Sequence, residues 1–126
     1  MTETKKPAVG TFGWFDLTVA DVPKVRDFYK AVVGWEAYPV DMGGYEDFSI
    51  GPPDGEPVGG LCHARGPNTA LPPVWLLYII VANLEESAKK VVELGGKLIT
   101  PTRPIGEGKF CVIQDPAGAT CALYQL

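Results

Sequence analysis

The chain states one pattern twice, and that repeat constrains its fold more than any other feature. "LTVADVPKVRDFYKAVVGWE" occupies residues 17–36 and "IIVANLEESAKKVVELGGKL" residues 79–98. Val19-Ala20-Asp21-Val22 aligns with Val81-Ala82-Asn83-Leu84, and Gly34 with Gly96, at a constant offset of 62 and without a gap. In each copy an apolar run meets Asp or Asn, the preferred helix N-cap. An amphipathic stretch follows, and a Gly suited to the left-handed conformation closes it. Asn83 and Glu86 have the spacing of a capping box, with Asn in place of Ser or Thr. Val22, Val25, Phe28, Tyr29 and Val32 form one apolar stripe, and Leu84, Ala88, Val91, Val92 and Leu94 approximate another.

Turn chemistry repeats as well. "DPAG" at 115–118 matches "PPDG" at 52–55 at an offset of 63. Each half therefore reads strand, helix and three strands. The first runs over 11–19, 22–33, 35–40, 45–50 and 56–63, and the second over 74–81, 84–94, 97–101, 109–114 and 119–125. The Pro- and Gly-rich stretch 64–73 links them. A single βαβββ unit has one helix for one sheet face and needs a partner for the other. The expected fold is α+β: two tandem βαβββ modules, 10–63 and 74–126, forming one domain over 1–126, with a curved mixed sheet around a cleft. Two such sheets leave edges and an open face that a second copy would cover, which predicts a homodimer.

Composition narrows the function classes. With 46% hydrophobic and 21% charged residues the chain can bury a core. A net charge of −4 argues against nucleic acid as a partner. No apolar run reaches membrane-spanning length and the first residues lack a signal-peptide core, so no membrane partner and a cytoplasmic location are expected. Cys62, Cys111 and Cys121 have neither disulfide-framework nor zinc spacing and read as reduced, buried thiols. Cys111 is placed at the cleft, without a partner to activate it. "GPPDGEPVGG" precedes no helix and lacks the Lys of a phosphate loop, so it reads as a hairpin turn.

Tandem modules with "DLTVADVPKVRDFYKAVVGWE", "VWLLYIIVANLEESAKKVVELGGKLITP" and "IQDPAGATCALYQL" resemble the vicinal oxygen chelate superfamily, which contains glyoxalase I, extradiol dioxygenases and bleomycin-resistance proteins. The resemblance spans residue 10 to the last residue. It implies that metal-dependent members carry a ligand on the first strand of a module and a Glu on the last. Those positions fall here at Trp14 and Leu76, and at Gly59 and Ala122. None offers a side-chain donor to a cation. The one histidine, His63, ends the fourth strand and reads as a surface or pocket-rim residue. No metal and no cofactor are therefore expected.

Strand alternation carries these positions further. With Trp14 and Ala122 facing the cleft, Asp16, Tyr124, Leu76 and Tyr78 join them as candidate ligand-binding residues. Phe15, Leu17, Val19, Trp75, Leu77 and Ile79 then back onto the helices. Trp14 and Tyr124 suit a planar or cationic ligand. Asp16 is either a general base, a partner for a cationic group, or a carboxylate satisfied by neighbouring hydroxyls or by solvent. Three readings follow: a metal-free binding protein for a small amphipathic or cationic molecule, a metal-independent isomerase or hydrolase with Asp16 as base, and, with least support, a metal-dependent lyase or dioxygenase.

Overall fold

A computed structural model describes residues 7–126. The chain packs as two compact units. One is the contiguous stretch Trp14–Leu76, and the other joins the described residues up to Gly13 to Leu77–Leu126.

In the contiguous unit, strand β1 (Phe12–Val19) leads into helix α1 (Val22–Val33), then β2 (Glu36–Asp41), β3 (Glu46–Gly51) and β4 (Gly59–His63). The helix starts where expected. The Asp21 carboxylate accepts from the Lys24 N–H at 3.2 Å, and Pro23 sits in the first turn, where no N–H is needed. It ends at Gly34, whose φ of 85° is left-handed and whose N–H bonds to the Lys30 carbonyl. The strands order as β2-β3-β4-β1. β1 and β4 are parallel, pairing Asp16 with Gly60 and Thr18 with Cys62, and the other neighbours are antiparallel. Leu17, Val22, Ile50 and Leu61 form the core beneath α1, with Val25, Tyr29, Trp35 and Trp75 packed around it. A single 3-10 turn, Gly66–Asn68, occupies the expected linker.

The second half of the sequence repeats the topology with β5 (Trp75–Ile80), helix α2 (Leu84–Glu93), β6 (Lys97–Leu98), β7 (Arg103–Ile105), β8 (Gly108–Gln114) and β9 (Thr120–Gln125). β9 lies parallel to β5 and antiparallel to β8, which also pairs with β6 and β7. Asn83 accepts from the Glu86 N–H, as its capping-box spacing predicts. The Gln125 side chain accepts a further orphan donor, the Leu84 N–H, at 2.8 Å, so the end of β9 ties down the start of α2. Leu84, Cys111, Ile113 and Leu123 are buried together, with Ile79, Val81 and Val91 against them. The turn at 115–118 is built as its residues dictate: the Asp115 carboxylate accepts from the Ala117 and Ala119 N–H groups, and Gly118 is left-handed.

Four details differ from the sequence reading. α2 closes on Gly95 (φ 93°) instead of Gly96, because it has ten residues where α1 has twelve. Gly96 serves a close approach instead: a Cβ there would lie 2.6 Å from the Gln114 carbonyl oxygen. The strand expected over 97–101 stops at Leu98. The N–H groups of Ile99 and Thr100 both point at the Val112 carbonyl (2.8 and 3.2 Å), two residues opposing one, as in a β-bulge. The chain then re-pairs with β8 as the unforeseen β7. Finally, the helical stripes are narrower than expected. Phe28 and Val32 on α1, and Val92 and Leu94 on and after α2, are 55–73% exposed.

Candidate functional site

On β1 the Trp14 indole N–H donates to Asp16 Oδ1 at 2.7 Å, which brings together two of the candidate ligand-binding residues. Gly60 on β4 makes room for them, since a Cβ there would collide with Asp16 Oδ1 and lie 3.6 Å from the indole nitrogen. The next residue on that face of β4 is Cys62. Burial, then the negative charges of Asp16 and Asp47 and a hydrogen bond to Asp47, push its thiol well above the ordinary range. The thiol therefore stays protonated and inert as a nucleophile.

Asp47 is the centre of a second cluster. It is 7% exposed, and its Oδ1 accepts from both the backbone N–H of His63 and the ring Nδ1, each at 3.0 Å. The Tyr45 ring packs on the imidazole at 5.2 Å in an edge-to-face arrangement, and the Arg65 guanidinium lies 3.8 Å over the centroid of Tyr45. Asp47, Tyr45 and Arg65 were not singled out from the sequence. Residues 47 and 63 become neighbours only through the β3–β4 register, which pairs Phe48 with Leu61.

The helix-bearing side of the same unit contains a cavity of about 380 Å³ lined by Phe15, Trp35, Ile50, Val58, Gly59 and Trp75. Trp35 and Trp75 meet edge-to-face at 5.7 Å, and both contact the ring of Tyr29, whose hydroxyl accepts from the Trp75 indole N–H. Phe15 and Trp75 do lie on the helix side, as alternation predicts, but they border open space there: Phe15 is 38% exposed. The size and the apolar, aromatic lining are those of a small-molecule pocket.

The other site residues are distributed over both units. Leu76 belongs to the contiguous unit and is fully buried. Tyr78, Ala122 and Tyr124 belong to the second unit. There Tyr78 pairs with Ala122 across β5 and β9, and its ring sits 5.7 Å from Phe110 and 6.5 Å from Tyr124. Arg103 stacks on Phe110 at 4.9 Å. Ala122 is also fully buried, so it and Leu76 contribute packing and no accessible surface. Cys111 is not at a cleft. Its register with Leu123 turns it toward α2, where it packs against Leu84.

A divalent metal at the positions the fold suggests would find Trp14, Gly59, Leu76 and Ala122, an indole and three groups without a donor atom. Among the described residues no three His, Cys, Asp or Glu side chains converge. The residues present do not fit a metal, and no step is derived through one. No helix among the described residues is long and apolar enough to cross a membrane.

Comparison with known proteins places these features in context. Residues 11–123 match the family described as Glyoxalase/Bleomycin resistance protein/Dioxygenase superfamily. A protein of Mycobacterium tuberculosis (strain CDC 1551 / Oshkosh) named as a glyoxylase, CFP32, is 34% identical over 92% of this chain and 46% of its own length. The anthracycline biosynthesis protein DnrV of Streptomyces peucetius is 33% identical over 94% of this chain and 48% of its own. The chain thus spans about half the length of the curated relatives it matches. Among solved structures, a member of the same superfamily from Vibrio splendidus 12B01 superposes with a TM-score of 0.58 at 17% identity, covering 90% of this chain and 97% of that one. Methylmalonyl-CoA epimerase from Mycobacterium tuberculosis superposes with a TM-score of 0.56 at 14% identity, covering 97% and 92%. At these identities the likeness is one of fold.

Proposed function

The chain belongs to the glyoxalase/bleomycin resistance protein/dioxygenase superfamily, and from that premise we propose that it binds a small amphipathic or cationic molecule without a metal, as a homodimer in the cytoplasm. The cavity bordered by Phe15, Trp35 and Trp75 carries this reading. Its volume accommodates a compact organic ligand, and its tryptophan faces would stack on a planar ring or an organic cation. The relative named for anthracycline biosynthesis supports a planar ligand. The absence of donor atoms at 14, 59, 76 and 122 supports binding without a cation. Three free thiols, Cys62, Cys111 and Cys121, favour a reducing compartment.

An isomerase or hydrolase with Asp16 as base has weaker support, because Oδ1 is already engaged by Trp14. A metal-dependent lyase or dioxygenase has the least.

Tryptophan fluorescence tests the binding reading, since Trp35 and Trp75 line the cavity. An anthracycline and a simple planar aromatic cation serve as probes. Saturable quenching is expected, with affinity reduced about tenfold in Trp75→Leu, a loss of about 1.4 kcal/mol. No saturable quenching by either probe up to about 1 mM would sink the proposal.

A further inference from the structure

We propose that Asp47, His63 and Arg65 form a binding and proton-transfer site for a small molecule carrying an ionisable hydroxyl and, beside it, an anionic group. The cluster lies within the contiguous unit and uses none of the residues that line the aromatic cavity. With Asp47 Oδ1 accepting at Nδ1, the tautomer of the neutral imidazole that fits this contact has its proton on Nδ1 and its lone pair on Nε2. Nε2 has no partner among the described residues. The ring cannot easily turn away, because Asp47 also anchors the backbone N–H of His63 and the Tyr45 ring packs against the imidazole.

The carboxylate is itself well held. It is 10% exposed in its side chain, against 22% for His63, and the protonated Cys62 thiol donates to it as well. A buried carboxylate behind a half-buried imidazole with one free nitrogen is the arrangement that stabilises an imidazolium while it forms.

Arg65 supplies the second recognition element. Its backbone N–H bonds to the His63 carbonyl at 2.9 Å, so the two side chains leave the chain at one place. Its guanidinium carbon lies 3.8 Å from the centroid of the Tyr45 ring, while the residue remains exposed. A guanidinium placed in that way offers its N–H edge to a carboxylate or phosphate. The step needs no further reactant. The hydroxyl O–H bond breaks, its electron pair stays on the ligand oxygen, and the proton moves to Nε2. The resulting imidazolium faces Asp47, and the proton returns by the same path.

The chain has one histidine, so long-range proton–nitrogen NMR of untagged protein reads this ring without ambiguity. The Nδ1-protonated tautomer is expected in the free protein. Adding 3-hydroxybenzoate should shift the Nε2 resonance saturably toward its protonated position. Benzoate, which lacks the hydroxyl, and phenol, which lacks the carboxylate, should each need about ten times the concentration. Arg65→Met should weaken the 3-hydroxybenzoate response about fivefold and leave the tautomer unchanged. Asp47→Ala, which removes the acceptor, should abolish the tautomer preference; where that variant does not fold, the wild-type tautomer and Arg65→Met decide the matter. An Nε2-protonated ring in the wild type, or a 3-hydroxybenzoate response that is absent or survives Arg65→Met, overturns the proposal. Because the readout is His63 and not tryptophan, its failure would leave the cavity reading standing.

Discussion

Single residues in this chain are constrained by what they sit beside more than by their own chemistry. Cys62 is the clearest case. Between Asp16 and Asp47, and largely buried, its thiol is raised above the ordinary value of 9.0. Cys111 and Cys121 are raised too, first by burial. The unfolded chain therefore releases these protons at a lower pH than the folded one. Stability is complete below the ordinary thiol value and is lost as pH rises above it, by at most about 1.4 kcal/mol per pH unit for each thiol. Melting temperature should accordingly fall from about pH 9 upward, and Cys62→Ala should flatten the decline. A melting curve equally pH-dependent in that variant would assign the effect to other groups. Cys62 shows what residue-by-residue reading misses. Its reduced, structural character is plain from composition, whereas its role as a donor to Asp47 exists only once β3 and β4 are in register.

At the scale of elements, the two helices were legible because their ends are written locally. Asp21 and Asn83 accept from N–H groups three residues on, and a glycine follows each helix. β6 was read, three residues too long, and β7 was not, because a bulge separates them and bulges leave little trace in hydrophobic alternation. The structural signal is Thr100, 4% exposed, whose hydroxyl accepts from the Val112 N–H at 2.9 Å and replaces a missing ladder bond. Thr100→Val keeps the shape and leaves that N–H buried and unpaired. It should cost about 1–3 kcal/mol in denaturant unfolding, while Thr100→Ser should cost less. Equal losses would show that the methyl matters and the hydroxyl does not. The candidate sites divide along the same line. Trp14 came from the family resemblance, and Asp16 followed from it by alternation along one strand. The Asp47–His63 pair needed pairing across strands, and the cavity needed the knowledge that Phe15 and Trp75 do not close the helix side completely.

At the scale of the whole molecule, apolar surface and chain length bear on assembly. Phe28, Val32 and Val33 are exposed on α1, and Val92 and Leu94 on and just after α2. Exposed apolar groups clustered on one element favour a protein partner. The curated relatives are about twice as long, and a second copy of this chain would supply a comparable amount of structure. Light scattering at micromolar concentration should therefore report twice the 13.5 kDa of one chain. Phe28→Glu combined with Val32→Glu should shift the mass toward that of a single chain. A monomer mass in the wild type would remove the dimer from the proposal.

The way the first strand is divided has a consequence in time. Phe12 and Gly13 open β1 yet belong with Leu77–Leu126, where the Gly10 N–H bonds to the Ile80 carbonyl and the Ile80 N–H to that of Thr11. Trp75 and Leu76 open β5 yet belong with the stretch before them. Synthesis runs in one direction, so every residue of the contiguous unit has been made once Leu76 has left the ribosome. The other unit begins before the contiguous one is made and receives its strand Thr120–Gln125 long after it. Through that interval Gly10 and Thr11 have been made but the backbone groups they bond to, on Ile80, have not.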